Sequence, residues 1–431
     1  MVRVILGMLV MTGRVTMLGI SRWAEKGGSY RTIQRFYHTV MPWAEILWKF
    51  FEKLLLKPDD EYILAGDEVV ASKAGQETYG LDRFFSSLHQ RPIAGLAFFA
   101  FSLVNVRERQ SYPIRVTQIV RSEGEKAASK ARAQARKEKA SKPSSEEGKC
   151  SRPKGSKNKN CQAVVLNAEL LRMQGMLKAL LQAIGTVLPL VYLVMDGHFG
   201  NYPSAWMVRQ MKLHLISKLR SDAALYLPYQ GAYGGKGRPA KYGEKVNVRR
   251  MDDKYKKESS IEKNIRTDIY QAILLNKELD FPLNVVVILK TNLDTQAQSH
   301  IILFSTDLDL SYARMIEFYC LRFQIEFNFR DAKQYWGLED FMNIEKTAVT
   351  NAANLSFFMV NLSYLLLQPF RQSNPDYSIL DLKAHYHGYR YATETIKMLP
   401  EKPDAVLLAD IFQQIARLGM IHPVLEPSIS S

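Results

Sequence analysis

Two short apolar runs, "YILAGDEVV" from residue 62 and "PLVYLVMDG" from residue 189, each close on an aspartate, Asp67 and Asp196. Runs of this length, rich in Val, Leu, Ile and Tyr, predict buried strands. In a sheet that makes the two strands neighbours, Asp67 and Asp196 stand side by side. Carboxylates that close repel each other and need a cation to stay ionised. A hard dication with carboxylate and water ligands meets that need, and Mg²⁺ is the natural choice. A strand-end aspartate is equally at home as a turn former, so neither residue carries the argument alone.

Around these runs the chain alternates. "IAGLAFFAFSLVNV" (93–106) and "SYPIRVTQIV" (111–120) predict two further strands after the first, in an antiparallel run. An amphipathic helix at 167–187 precedes the Asp196 strand, and a helix near 203–212 and the strand "HLISKLR" follow it. Residues 221–305 turn Gly-, Tyr-, Lys- and Arg-rich, and read as a β-rich insertion whose last strands rejoin the main sheet. A helix over 311–335 comes next, and the last 90 or so residues read as helices with a polar tail.

The 311–335 helix contains "FYCLRFQIEFNFRDAKQYWG" at 318–337. At 100° per residue, Phe318, Leu321, Ile325, Phe329 and Ala332 form one apolar stripe for a core. Tyr319, Arg322, Glu326 and Lys333 fall within about 60° of each other on the adjacent stripe. Glu326 is thus a third acid on a flanking helix, which permits two metal ions to clamp an in-line phosphoryl displacement. The cations admit two readings. A structural Arg322 pairs with Glu326 at i, i+4. A functional Arg322 and Lys333 point outward at phosphates and leave Glu326 for the ion.

A net charge of +15 over 431 residues points to a polyanionic partner, nucleic acid before an anionic membrane. Residues 121–160 hold thirteen Lys/Arg against five Glu, low in aromatics and rich in Ser and Ala, and read as a solvated basic insert reaching to 163. The remainder is still basic. Three cysteines, Cys150, Cys161 and Cys320, fit no zinc spacing and suggest a reducing compartment. The opening "VILGMLVM" is too short and too close to Arg14 for a convincing signal peptide and reads as a buried helix. Starting so abruptly, it leaves room for residues upstream.

Residues 1–58 read as all-helical. A short helix from Thr16 to Trp23, a Gly27-Gly28 turn and an N-cap at Ser29 before "YRTIQRFYHTV" match a helix-turn-helix. On that second helix Arg31, Gln34, Arg35 and His38 share a face that would meet DNA, while Ile33, Phe36, Tyr37 and Val40 supply the packing side; helical packing alone produces the same pattern.

The order Asp67, Asp196, Glu326, with Tyr-x2-Arg-x3-Glu-x6-Lys spanning 319–333 without a gap, resembles the DDE transposases of bacterial insertion sequences, in the subgroup with the Tyr-Arg-Glu-Lys signature. "AGDEVVASKAGQETYGLDRFFSS" is similar to that family's first-aspartate strand and the Lys/Gly hairpin after it. The resemblance implies an α/β fold. A ribonuclease H-like core (59–220 and 306–345) would carry a β-rich insertion (221–305), between a helical DNA-binding region (1–58) and a helical C-terminal region (346–431). It also implies a mechanism. Asp67, Asp196 and Glu326 would hold two Mg²⁺ ions, with Mn²⁺ as a substitute, to activate water for nicking element ends and then the freed 3′-hydroxyl for attack on target DNA. Tyr319, Arg322 and Lys333 would grip phosphates near the cut. Its partners would be the terminal inverted repeats and target DNA, bound by a homodimer in the bacterial cytoplasm and nucleoid. Some relatives stack a flipped base on a tryptophan in the β insertion. Residues 221–310 hold none, which leaves Tyr226, Tyr229, Tyr233 or Tyr242 for stacking. Two other readings stand beside the transposase: a catalytically inactive DNA-binding descendant, and a ribonuclease H-like nuclease without strand transfer.

Overall fold

The computed structural model describes residues 1–24, 27–86, 90–127, 131, 134, 164–233 and 239–422. Most of the basic insert, and with it Cys150 and Cys161, lies outside the described residues. Its centre is one mixed sheet. The first five of its strands to be set are β1 (Tyr62–Ser72), β3 (Arg91–Asn105), β4 (Gln110–Ile119), β5 (Tyr192–Met195) and β6 (His214–Leu219), in spatial order β4-β3-β1-β5-β6. β3 runs antiparallel to both neighbours, whereas β1, β5 and β6 are parallel. This is the expected ribonuclease H-like core. A short β2 (Asp82–Ser86), which the sequence reading passes over, adds to the end of β3.

The insertion is continuous with this sheet. β7 (Leu225–Pro228), β8 (Tyr242–Lys245), β9 (Lys256–Glu262), β10 (Ile265–Asn276), β11 (Leu279–Asn292) and β12 (Gln298–Ser305) extend it, with β12 joining β6 antiparallel. The Val-rich middle of β11 is buried on both faces, as a central strand requires.

Helices cover both faces. α1 (Val2–Val10), α2 (Met17–Trp23), α3 (Tyr30–His38) and α4 (Trp43–Leu54) precede the sheet. α5 (Ala168–Ile184) and α6 (Tyr202–Gln210) flank β5, each opened by an asparagine side-chain cap, Asn167 and Asn201. The helix expected over 311–335 is two: α7 (Tyr312–Leu321) and α8 (Gln324–Gln334), separated at Arg322 and Phe323. There the backbone closes by i→i−3 bonds, Phe323 to Cys320 and Glu326 to Phe323, so the tighter turn offsets α8 from α7. The apolar stripe survives the break: Phe318, Leu321, Ile325, Phe329 and Ala332 are all buried. α9 (Lys346–Ser373), α10 (Ile379–Met398) and α11 (Ala405–Arg417) complete the chain. Among the described residues no helix is long and apolar enough to cross a membrane.

The N-terminal helices dock on α9 and α10 through polar caps. Asn351 donates to the carbonyls of Tyr37 and Thr39, at the end of α3, and accepts from the Trp43 indole. Lys383 donates to the Met8 carbonyl at the end of α1, where a cation also suits the helix dipole. α3 ends at His38, so Val40 falls outside the helix and is 82% exposed rather than on the packing side.

One buried polar network holds α8 to the sheet. Asn328, fully buried, donates to the hydroxyls of Ser111 (2.7 Å) and Ser102 (3.2 Å) and accepts from Tyr364 (3.2 Å). Asn328→Ala leaves three buried hydroxyls short of a partner and is expected to cost about 1–3 kcal/mol. Denaturant titration checks this. An unchanged midpoint would show that the network carries no stability.

Candidate active site

Gly66 and Met195 pair across the parallel β1–β5 ladder, so the next residues, Asp67 and Asp196, leave it side by side. The apolar run predicts a first strand that ends at Asp67. β1 instead runs to Ser72, because residues 67–72 keep their antiparallel partners in β3 after β5 has stopped. On its other side Gly66 pairs with Phe101 of β3, and a Cβ at Gly66 would stand 3.0 Å from the Phe101 ring. Asp196 caps the 3₁₀ turn Gly197–Phe199, its Oδ1 accepting the His198 amide at 3.1 Å. Its carbonyl accepts from the Ser217 hydroxyl (2.7 Å) on β6. Gly200 ends that turn against β6, where any Cβ would lie 2.2 Å from the Lys218 carbonyl oxygen.

Glu326 reaches this corner from the first turn of α8, and Arg322 ties it in. The Arg322 guanidinium donates through Nη1 to Asp67 Oδ2 (2.8 Å), and its Nη2 lies 3.5 Å from Glu326 Oε1. It sits 5.9 Å from the Tyr319 ring centroid. The structure therefore brings Asp67, Asp196, Glu326, Arg322 and Tyr319 together. Burial pushes the Asp67 carboxyl up to about 6 against the pull of Arg322, and the charges of Asp196 and Glu326 push the same way. Burial also raises Glu326, again opposed by Arg322.

Lys333 goes elsewhere. Its ammonium donates to the Val70 carbonyl (2.6 Å) and pairs with Glu339 (3.2 Å), fastening the outer half of β1 to α8. Glu339 also accepts from the Ser72 amide, and Lys73 donates to the carbonyls of Glu339 and Phe341. The hairpin after β1 is thereby clamped to the loop after α8. Neither Glu339 nor Asn328 stands out in the sequence; an asparagine two residues after Glu326, beside the apolar stripe, is the one local hint. Lys218, which no sequence pattern marks, stands beside the Asp196 turn. It is exposed, its Cε lies 3.3 Å from where a Gly197 Cβ would be, and it has no ion-pair partner among the described residues.

The remaining candidates are on α3 and in the β insertion. Arg31, Gln34, Arg35 and His38 are all exposed on α3, and His38 contacts Glu345 at 3.1 Å. In the insertion Tyr226 and Tyr242 pack edge to face, 5.5 Å between centroids, with Lys277 over Tyr226. Tyr229 and Tyr233 are exposed.

The donor set suits a hard divalent cation in kind, since Asp67 is a carboxylate on which the charges of two others, Asp196 and Glu326, both bear. As placed, the Arg322 guanidinium stands between Asp67 and Glu326. Among the described residues no three His, Cys, Asp or Glu side chains are grouped to hold one ion.

The sheet is ribonuclease H-like, with Asp67 on β1, Asp196 directly after the adjacent β5 and Glu326 on the covering helix, an order of acids that suits the nucleases of that fold. Among these the chain belongs to the DDE superfamily endonucleases, whose family model matches residues 1–276. That span takes in Asp67 and Asp196 and stops short of Tyr319, Arg322, Glu326 and Lys333. No curated protein matches the chain.

Proposed function

We propose that this endonuclease is a DNA transposase of the Tyr-Arg-Glu-Lys subgroup, cutting at element ends and joining them to target DNA. The observation that carries the reading is the β1–β5 register that sets Asp67 beside Asp196, with Glu326 drawn to Asp67 through Arg322. Asp67, Asp196 and Glu326 would hold divalent metal, Mg²⁺ or Mn²⁺ in its place. When bound, the metal supplies Lewis-acid activation of a water or 3′-hydroxyl and neutralises charge at the phosphorus, in the two-metal manner.

The protein's own part is placement. Asp196 spends one oxygen on its turn and keeps the other for a ligand. Arg322 and Tyr319 would meet a phosphate near the cut with a planar fork and a hydroxyl. Lys333 holds β1 against α8, and serves a phosphate only if it gives up Val70 and Glu339. Arg31, Gln34, Arg35 and His38 would read the terminal repeat, and two copies of the chain would pair two ends.

The test uses a linear duplex carrying the DNA that flanks the gene, with a supercoiled target plasmid and Mg²⁺. Joined products between duplex and plasmid are expected. Cutting without joining favours the nuclease without strand transfer. DNA binding with neither favours the inactive descendant.

A further inference from the structure

Arg322 is asked to do two things that one guanidinium cannot do at once. Its side chain is 13% exposed and bridges Asp67 and Glu326, the first and third acids of the site. Its Nε is buried with no hydrogen-bond partner, an orphan donor that costs stability where it stands. A fork committed to two carboxylates has no face left for a phosphate, and carboxylates committed to the fork are not free for an ion. Arg322 also lies in the break between α7 and α8, where the backbone leaves regular α geometry.

We propose that Arg322 is an internal stand-in for the metal: in the DNA-free protein it holds Asp67 and Glu326, and it leaves them for a DNA phosphate, so that metal loading is coupled to DNA binding. This rests on the reading of Asp67, Asp196 and Glu326 as metal ligands. While the bridge is in place it neutralises acids that would otherwise repel, which keeps the site closed without an ion. A phosphate offers the orphan Nε and the rest of the fork a bidentate partner. Because the two equilibria share one residue, DNA tightens metal binding and metal tightens DNA binding by the same factor.

The experiment is a Mn²⁺ titration of the full DNA-free chain, followed by electron paramagnetic resonance, for the wild type and Arg322→Gln, each with and without Asp67→Asn. Arg322→Gln is expected to bind Mn²⁺ about tenfold more tightly than the wild type, a gain that Asp67→Asn removes. It is also expected to melt below the wild type without metal and to recover with Mn²⁺. If Arg322→Gln does not fold, Arg322→Lys replaces it, since an ammonium on a shorter stem lacks the planar fork that sets one nitrogen on each acid; a tightening in the same direction is expected. Equal Mn²⁺ affinity with and without Arg322, lost in both backgrounds on Asp67→Asn, overturns the stand-in and leaves the metal site intact. Mn²⁺ binding indifferent to Asp67 overturns both.

Discussion

Asp67→Asn is expected to lower the proposed metal-dependent strand cleavage by on the order of 10³-fold, the loss that several kcal/mol of transition-state stabilisation represents. The change is nearly isosteric. Asn keeps an acceptor for the Glu68 amide, which Asp67 Oδ1 binds at 2.8 Å, so the local backbone has no reason to move. What it removes is the charge that faces Asp196 and Arg322. DNA retention on a filter should stay within a few fold, because the exposed cations of α3 are untouched. Circular dichroism separates lost chemistry from lost fold. Cleavage at the wild-type rate by folded Asp67→Asn would remove Asp67 from the catalytic site.

Replacing Arg31 and Arg35 together by Ala is expected to weaken binding to the terminal repeat on the order of 10²-fold or more, since each charge-assisted contact is worth about 1.5–3 kcal/mol. Both side chains are exposed and neither has an ion-pair partner among the described residues, so the melting temperature should not move. α3 is fixed from behind by Asn351, whose bonds go to backbone carbonyls that the substitutions leave alone. A gel-shift titration at fixed salt reads the effect. Equal loss on unrelated DNA would mean that these arginines touch only phosphate, and no loss at all would remove α3 from the interface.

Much of this was legible because it depends on local pattern. The apolar runs around Asp67 and Asp196 carry strand propensity, and their neighbourhood follows once both enter one parallel sheet. The 3.6-residue stripe from Phe318 to Ala332 marks a buried helical face whatever the helix does between. The break at Arg322 was not legible, since no Gly or Pro interrupts residues 318–335 and the periodicity runs straight through. Its setting is tertiary: Arg322 reaches an aspartate 255 positions earlier. Lys333 shows the same limit. Helical spacing puts it on Glu326's side, but only the arrival of β1, with the Val70 carbonyl, decides that it points inward. The strand ending expected at Asp67 failed because one neighbour, β5, stops there while the other, β3, continues.

In the proposed transposase Asp67, Asp196 and Glu326 would serve one metal site. Crystals of the full chain bound to a duplex carrying the gene's flanking sequence, grown with Mn²⁺ and measured at the manganese absorption edge, test it most directly. Anomalous density in contact with the carboxylates of Asp67 and Asp196, with Glu326 as a further ligand and Arg322 turned to a phosphate, is the predicted result. Manganese bound elsewhere, with Arg322 still bridging Asp67 and Glu326 beside the bound DNA, would contradict it.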